Sequence, residues 1–265
     1  MQVIVRPQRE EAIGIAARLV AKAIRSNPDL VLGLATGGTM ERLYADLVKL
    51  RRTEKLDFSL VRTFNLDEYV GLTAEDPRSY HAYMTHPLCR HVNIDRRNTH
   101  LLDGMAPDLA AECQRYEDLI RHTGGIDLQL LGLGKVGHIG FNEPLSALYS
   151  RTRDKSLTPA TIEQNAAYFG GADKMPHRAL TMGVGTILDA KRLLMLVTGD
   201  SKASVLAKAV EGPITSMMSA TAIQLHPHCI VVADEEAASA LQARDYYEWI
   251  FEHEPAWAEF RTVKP

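Results

Sequence analysis

The sequence lacks the features that mark secreted, disulfide-bonded or membrane-spanning proteins. Its three cysteines, Cys89, Cys113 and Cys229, are far apart and form no C-x-x-C pair, so they indicate neither a disulfide framework nor a redox motif. No run approaches the roughly 18 apolar residues of a membrane helix, and the amino-terminal stretch turns acidic where a signal peptide would be most apolar. We therefore expect a protein of the reducing cytoplasm that is not exported.

The chain also lacks an excess of positive charge. Thirty Lys and Arg residues stand against 33 Asp and Glu residues, which gives a formal net charge of −3. No overall basic field exists to hold nucleic acid or an anionic membrane, so we expect neither partner and a local site for any anionic ligand. What the chain has is 265 residues with 46% hydrophobic content, enough for one sizeable core, and we expect a single domain over residues 1–265.

Short apolar strands alternate with amphipathic helical patterns. The predicted strands are 31–35, 59–67, 126–134, 192–199 and 229–234. The predicted helices are 10–25, 40–50, 107–122, 201–211 and 236–250. Strands that are apolar on both faces and separated by helices are typical of parallel βαβ crossovers, so the sequence predicts an α/β fold with an open, mostly parallel, Rossmann-like sheet and helices on both faces. The polar stretch 144–179 lacks periodicity and is predicted to be a loop-rich lid.

Two strand-to-helix turns are candidates for binding a phosphate. In T-G-G-T, Gly38 and Thr39 lie where converging amides and a helix dipole favour an anion, although a tight connection with an N-cap threonine is the alternative. In T-G-D-S-K, Lys202 lies at a helix start, where the dipole does not favour a lysine, so a bound anion explains it. A solvated surface lysine is the alternative there.

Asp67 and Glu68 follow a predicted strand at the edge of the sheet where α/β proteins bind ligands, so one of them is a candidate base. A solvated acidic pair is the alternative. Further along, His138 and Glu143 lie five residues apart in a glycine-rich turn, where the carboxylate can orient the imidazole as a proton carrier near neutral pH.

Two other motifs are not assigned a ligand. GLGKVG (132–137) matches the dinucleotide pattern G-x-G-x-x-G, but the HIGFNEP that follows does not make the long helix that should receive a pyrophosphate. His226 and His228 lack a third ligand at metal spacing. We therefore predict neither a metal nor a redox cofactor.

Eight segments occur in the order and approximate spacing found in glucosamine-6-phosphate deaminases. They are VLGLATGGTMERLYADLV, FNLDEYVGL, SYHAYM, GLGKVGHIGFNEP, SRTR, ALTMGVGTILDA, VTGDSKASVLAKAVEG and QLHPH. The chain therefore resembles the glucosamine-6-phosphate deaminase/isomerase family over nearly its whole length. The related 6-phosphogluconolactonases share the sheet and a similar glycine–histidine turn, but FNLDEY and FNEP resemble the deaminase branch.

The resemblance implies an enzyme, placed in the hydrolase class, that converts an amino-sugar 6-phosphate to fructose 6-phosphate plus ammonia. Asp67 matches the base that moves a proton from C2 to C1 after ring opening. His138 matches the ring-opening acid and base, and Glu143 its carboxylate partner. The matching phosphate-binding positions are Gly38, Thr39 and Lys202.

The resemblance also implies a homo-oligomer. Many bacterial members are hexamers activated by an N-acetylated sugar phosphate at a site between subunits. The positions that match this allosteric site are Ser146, Arg153, Lys155 and Ser156, for which a solvated basic turn is the alternative.

Two positions depart from the family pattern. Val136 stands where the family usually has an aspartate, and Ala167 where it usually has a phosphate-binding arginine. Valine cannot accept a hydrogen bond from the imidazole, so Glu143 has to orient His138 alone. Three alternatives stay open: a deaminase or isomerase for galactosamine 6-phosphate or another altered substrate, a 6-phosphogluconolactonase-like hydrolase, and a non-catalytic sugar-phosphate sensor.

Overall fold

The computed structural model describes residues 1–261, which form a seven-stranded sheet and a three-stranded sheet with flanking helices. The strands are β1 (Gln2–Arg6), β2 (Val31–Leu34), β3 (Arg62–Asn65), β4 (Asp67–Tyr69), β5 (Thr99–His100), β6 (Leu128–Leu131), β7 (Arg153–Ser156), β8 (Arg178–Thr181), β9 (Leu193–Val197) and β10 (Cys229–Asp234). The helices are α1 (Arg9–Ser26), α2 (Gly38–Thr53), α3 (Tyr80–Met84), α4 (Leu109–His122), α5 (Pro159–Phe169), α6 (Val184–Leu188), α7 (Ala203–Glu211), α8 (Glu235–Ala238), α9 (Arg244–His253) and α10 (Ala258–Arg261).

The larger sheet has the strand order β1-β10-β9-β6-β2-β3-β5, and each neighbouring pair is parallel. Every residue of β2, β6 and β9 is buried, as expected for strands covered on both faces. The predicted α/β class with a mostly parallel sheet is confirmed. The smaller sheet is antiparallel, with β8 between β4 and β7.

The strand order has a switch point between β2 and β6. From β2 the chain continues to β3 and β5 on one side, whereas from β6 it continues to β9 and β10 on the other. The loops that leave β2 and β6 therefore diverge and open a crevice at the carboxyl ends of these strands, which is where open α/β sheets bind ligands.

The helices cover the sheet through the apolar faces that the sequence predicted. In α1, Ile13, Ala17, Val20 and Ile24 are all buried, three to four residues apart along one face. None of the helices within residues 1–261 is long and apolar enough to cross a membrane.

One predicted strand is divided in the structure, and one observed strand was not predicted. The segment 59–67 is divided, because β3 ends at Asn65 in the larger sheet and β4 begins at Asp67 in the smaller one. Between them Leu66 bonds to both sheets, since its N–H donates to Leu34 and its carbonyl accepts from Met182. Strand β1 was not predicted; it pairs with β10 at the edge of the larger sheet.

Two further predictions are corrected. The predicted helix 236–250 is two helices, α8 and α9, because the amides of Gln242 and Ala243 bond to the carboxylate of Glu211 instead of continuing a helix. The stretch 144–179 is not mainly loop: it contains β7, α5 and the start of β8. Its role as a lid stays a prediction.

Candidate active site

Three loops from the carboxyl ends of β2, β6 and β9 meet at the switch point. The hydroxyl oxygens of Thr39 and Thr198 lie 3.2 Å apart, which joins the turn after β2 to the turn after β9. The ammonium of Lys202 donates to the carbonyl of Leu133, after β6, at 2.6 Å. The structure thus brings the two predicted phosphate-binding turns together.

The charge of Lys202 is not balanced by a neighbouring acid. Across the described part of the chain, no carboxylate lies within ion-pairing distance of its ammonium. Burial, and then the positive charge of Lys135, lower the pKa of Lys202 to about 8. Gly38 and Thr39 begin the 16-residue helix α2 beside it. A partly buried cation next to a helix amino terminus favours an anion, although the phosphate itself stays a prediction.

Asp67 begins β4 and is 5% exposed. Burial, and then the charge of Glu68, raise the pKa of Asp67 to about 8. The neighbouring turn comes so close that only glycine fits at Gly140: with φ of +56°, its Cβ would lie 2.8 Å from Thr181 Oγ1 and 3.4 Å from Asp67 Oδ2. A carboxylate that exchanges its proton near neutral pH therefore lies beside the turn that carries His138.

Glu68 has a different role from its neighbour. Its carboxylate accepts the backbone N–H groups of Tyr69, Tyr80 and His81 at 2.8, 3.0 and 2.9 Å. These bonds fix the start of α3 against β4. Since its oxygens are occupied by the backbone, Glu68 is structural, and Asp67 is the candidate base of the pair.

His138 and Glu143 face each other, with 3.6 Å between Nδ1 and Oε2. Neither of these buried atoms has a hydrogen-bond partner within residues 1–261, so their 3.6 Å contact is not a formed hydrogen bond. Burial alone would raise the pKa of Glu143, but His138, Thr161 and the N–H of Thr158 together lower it to about 2. Glu143 is thus ionised and faces the imidazole, as the valine at position 136 requires.

The glycines of the 132–137 motif shape the histidine turn. Gly134 N–H donates to the carbonyl of His138, and Gly137 N–H donates to the carbonyl of Gly134, both at 2.9 Å. A Cβ on Gly134 would lie 2.2 Å from His138 Nε2, so a side chain at this position would displace the imidazole. Close packing of the imidazole explains the G-x-G-x-x-G match without a dinucleotide.

Sequence reasoning missed Ser219, which holds the same turn in place. Its buried hydroxyl donates to the carbonyl of Asn142 at 2.7 Å and accepts the N–H of Ile139 at 3.2 Å. Ser219 lies about 80 residues further along the chain, in a 3-10 helix that carries no recognisable motif. No signal in the sequence pointed to this contact.

The four predicted allosteric residues are only partly together. Arg153 donates to the hydroxyl of Ser146 at 3.0 Å and to the side-chain oxygen of Asn142 at 2.9 Å. Lys155 lies two residues along β7, on the same face as Arg153, whereas Ser156 is exposed on the opposite face. The site itself stays a prediction.

His226 and His228 lie in the turn that leads into β10. The Nε2 atom of His226 bonds to the carbonyl of Ala190 at 2.7 Å, and its Nδ1 accepts the N–H of His228 at 3.1 Å. Within the part of the chain that the structure describes, no group of three or more His, Cys, Asp and Glu could hold a metal ion.

Known proteins resemble this chain over most of its length. A glucosamine-6-phosphate deaminase from Hahella chejuensis (strain KCTC 2396) is 46% identical over 250 residues, which cover 94% of this chain and 95% of the relative. A solved structure described as a monomeric glucosamine-6-phosphate deaminase is 47% identical, with a TM-score of 0.89 over 91% of this chain and all of that one. A 6-phosphogluconolactonase from Trypanosoma cruzi shares the fold at 21% identity, with a TM-score of 0.71 over 91% of this chain and 97% of that one.

The family model described as "Glucosamine-6-phosphate isomerases/6-phosphogluconolactonase" matches residues 9–233. This range contains the three converging loops, the 67–68 acidic pair and the histidine turn. The resemblance seen in the sequence is confirmed, and the chain belongs to the glucosamine-6-phosphate isomerase/6-phosphogluconolactonase family.

Proposed function

We propose that the protein is a glucosamine-6-phosphate deaminase, which converts glucosamine 6-phosphate and water to fructose 6-phosphate and ammonia. The observation that carries this proposal is the buried Asp67, with its pKa raised to about 8, beside the turn in which Glu143 faces His138. The similarity to deaminases over more than nine-tenths of the chain supports it.

The phosphate binds at the crevice between the turns after β2 and β9. The amides at the start of α2, the hydroxyl of Thr39 and the ammonium of Lys202 supply donors to its oxygens. This contact is made before and during the reaction, so it contributes mainly to substrate affinity.

Ring opening requires a group that moves a proton between the C1 hydroxyl and the ring oxygen. His138 is suited to this because an imidazole exchanges protons near neutral pH and the ionised Glu143 stabilises its charged form. The product of this step is the open aldehyde, whose carbonyl makes the hydrogen on C2 acidic.

Asp67 then moves a proton from C2 to C1. Its ionised carboxylate takes the C2 hydrogen, which leaves an enol-amine between C1 and C2. Its raised pKa lets it hold a proton, which exchanges with solvent, before it delivers a proton to C1. The product carries an iminium at C2; water adds to this carbon, ammonia leaves, and the ketone of fructose 6-phosphate is formed.

The class of the enzyme is corrected. The hydrolase class implied by the resemblance is not borne out, since the relatives are named deaminases and the family description names isomerases. A lactonase-like activity has less support, since the lactonases share only the fold at 21% identity. Galactosamine 6-phosphate or another altered substrate remains the alternative, because Val136 and Ala167 stand where the resemblance implies an aspartate and a phosphate-binding arginine.

The assembly and the compartment stay predictions. We propose a homo-oligomer, of which a hexamer is one form; a monomer is the alternative, because the 47% identical relative is described as monomeric. Light scattering on the purified protein separates a molar mass near the 29.4 kDa of one chain from a multiple of it. The cytoplasm is the proposed compartment, in keeping with the free thiols of Cys89, Cys113 and Cys229.

A substrate panel tests the proposed activity. Glucosamine 6-phosphate, galactosamine 6-phosphate and 6-phosphogluconolactone are each incubated with the protein, and ammonia, fructose 6-phosphate and acid release are measured. Ammonia and fructose 6-phosphate from the glucosamine sugar alone support the proposal. Acid release from the lactone alone supports a lactonase, and binding without turnover of any of the three supports a sensor.

A further inference from the structure

The side chain of Asp234 joins the end of β10 to the turn after β9. Asp234 is 2% exposed, and both of its carboxylate oxygens lie 3.0 Å from the amide nitrogen of Gly199. Its Oδ1 atom also accepts the N–H of Ala237 at 2.8 Å, at the start of α8. Since an ionised carboxylate is a strong acceptor, Asp234 fixes the Gly199 peptide firmly.

Gly199 needs this fixation because its backbone is unusual. Its φ is +91°, in a region that side chains disfavour. A Cβ at this position would lie 3.4 Å from the Nη2 atom of Arg9. Arg9 in turn lies 3.6 Å from Asp234 Oδ2, measured from its Nε atom. The turn at Gly199 is therefore held between the buried carboxylate of Asp234 and the guanidinium of Arg9.

The Gly199 peptide leads directly to the groups that face the crevice. Thr198 precedes it, and its hydroxyl lies 3.2 Å from that of Thr39. The carbonyl of Gly199 accepts the N–H of Lys202 at 3.1 Å. A displacement of Gly199 would therefore move both the Thr198 hydroxyl and the start of the Lys202 side chain.

We infer that Asp234 is a positioning residue for the phosphate of the substrate, acting through the peptide of Gly199 on Thr198 and Lys202. Asp234 touches no substrate atom in this account. The inference depends on the proposed phosphate site but not on the amino group of the sugar, so inorganic phosphate tests it independently of the deaminase activity.

Asp234→Ser separates the two bonds of this carboxylate. Serine is a favoured N-cap residue, so the variant keeps the bond to Ala237 N–H, but its shorter side chain does not reach Gly199. We expect KM for glucosamine 6-phosphate to rise about 10-fold, the effect of one lost hydrogen bond to a charged group, with a much smaller fall in kcat. The Kd of inorganic phosphate, measured by phosphorus NMR, should rise by a similar factor.

Asp234→Asn is the second variant, in case the serine variant does not fold. It keeps the size of the side chain but turns one acceptor into an NH₂ group beside the Gly199 N–H and Arg9. KM for glucosamine 6-phosphate and the Kd of inorganic phosphate should both rise, as in Asp234→Ser. In a Lys202→Ala background both shifts should become smaller, since one of the two groups that Asp234 positions has been removed.

Asp127→Asn is the matched control. Asp127 also accepts a backbone N–H, that of Val31 at 2.8 Å. Val31 begins β2, so this bond lies at the amino ends of the strands, away from the carboxyl ends where the crevice opens. This variant should lower Tm and leave KM and the phosphate Kd unchanged. Wild-type values of both constants in folded Asp234→Ser would overturn the inference, as would equal shifts in Asp127→Asn. A wild-type protein that releases no ammonia would refute the deaminase, whereas weakened phosphate binding in Asp234→Ser would still support the positioning role.

Discussion

Asp67 and Lys202 are groups of opposite charge whose pKa values both lie at about 8. Burial is the main cause in each case, and it acts in opposite directions because it disfavours the charged form. Asp67 has to lose its proton to act as a base, whereas Lys202 has to keep its proton to hold a phosphate. The two requirements overlap only in a narrow range of pH.

The first prediction is a bell-shaped dependence of kcat/KM on pH, centred near 8. Activity rises with pH as Asp67 ionises and falls as Lys202 loses its charge. Lys202→Arg should move the falling limb to higher pH, because a guanidinium stays charged, and leave the rising limb in place. An identical profile in wild type and variant, recorded by ammonia release, would show that Lys202 does not set the falling limb.

Val136 stands two residues before His138, where the resemblance implies an aspartate. His138 Nδ1 has Glu143 at 3.6 Å and, within residues 1–261, no hydrogen-bond partner. Val136→Asp should therefore raise kcat on glucosamine 6-phosphate by about 10-fold if ring opening limits the rate, from a charge-assisted bond worth roughly 1.5 kcal/mol.

The conservative control for this substitution is Val136→Asn, which introduces a side chain of the same size and shape as aspartate with no charge. It should raise kcat less than Val136→Asp does. An unchanged or lower rate in Val136→Asp, with the wild-type Kd for inorganic phosphate, would mean that the pocket is built for a different sugar.

At the scale of elements, the structure shows that the histidine turn depends on a distant segment. The Ser219 hydroxyl bridges the N–H of Ile139 and the carbonyl of Asn142, on either side of the turn that leads from His138 to Glu143. Ser219→Ala leaves both buried groups without this partner, which should cost about 1–3 kcal/mol of stability. We also expect kcat to fall about 10-fold, since the imidazole loses its alignment.

The matched control for this variant is Ser239→Ala. The Ser239 hydroxyl also donates to a backbone carbonyl, that of Glu236 at 2.8 Å, but in an exposed position. It should change neither kcat nor Tm appreciably. A Ser219→Ala protein with reduced Tm and wild-type kcat would show that the bridge supports the fold alone.

The elements that the sequence could predict are those with a local signal. Strands 31–35 and 192–199 are continuous apolar runs followed by glycine turns, so both the sheet and the loops at its carboxyl edge were predictable. Asp67, His138, Glu143 and Lys202 could be named as candidates because each lies at or shortly after the end of a predicted strand.

The elements that the sequence could not predict depend on distant partners. The 59–67 segment contains no glycine or proline to mark a break, and only the bonds of Leu66 to both Leu34 and Met182 show that it changes sheet. The 236–250 pattern is helical throughout, and only Glu211 interrupts it. The roles of Ser219 and Asp234 likewise arise from contacts between segments far apart in the chain.

At the scale of the whole molecule, the fold assembles the site from segments that are far apart. Asp67 begins a strand of the small sheet, His138 and Glu143 follow β6 of the large sheet, and Lys202 follows β9. The switch between β2 and β6 opens the crevice around which these segments lie. A chain with a net charge of −3 thus presents a local cation to an anionic ligand.

Exchange of the C2 hydrogen of glucosamine 6-phosphate in D₂O, followed by proton NMR together with ammonia release, tests the central claim most directly. The wild-type protein should release ammonia and place solvent deuterium at C1 of fructose 6-phosphate. Asp67→Asn should slow both by ~10²–10⁴-fold while binding inorganic phosphate like the wild type, because only the base has been removed. Glu68 accepts three backbone N–H groups and is not the base in this mechanism. The folded part of a Glu68→Gln sample should therefore still exchange the C2 hydrogen. Exchange at the wild-type rate in Asp67→Asn would contradict the account, since another group would then be the base.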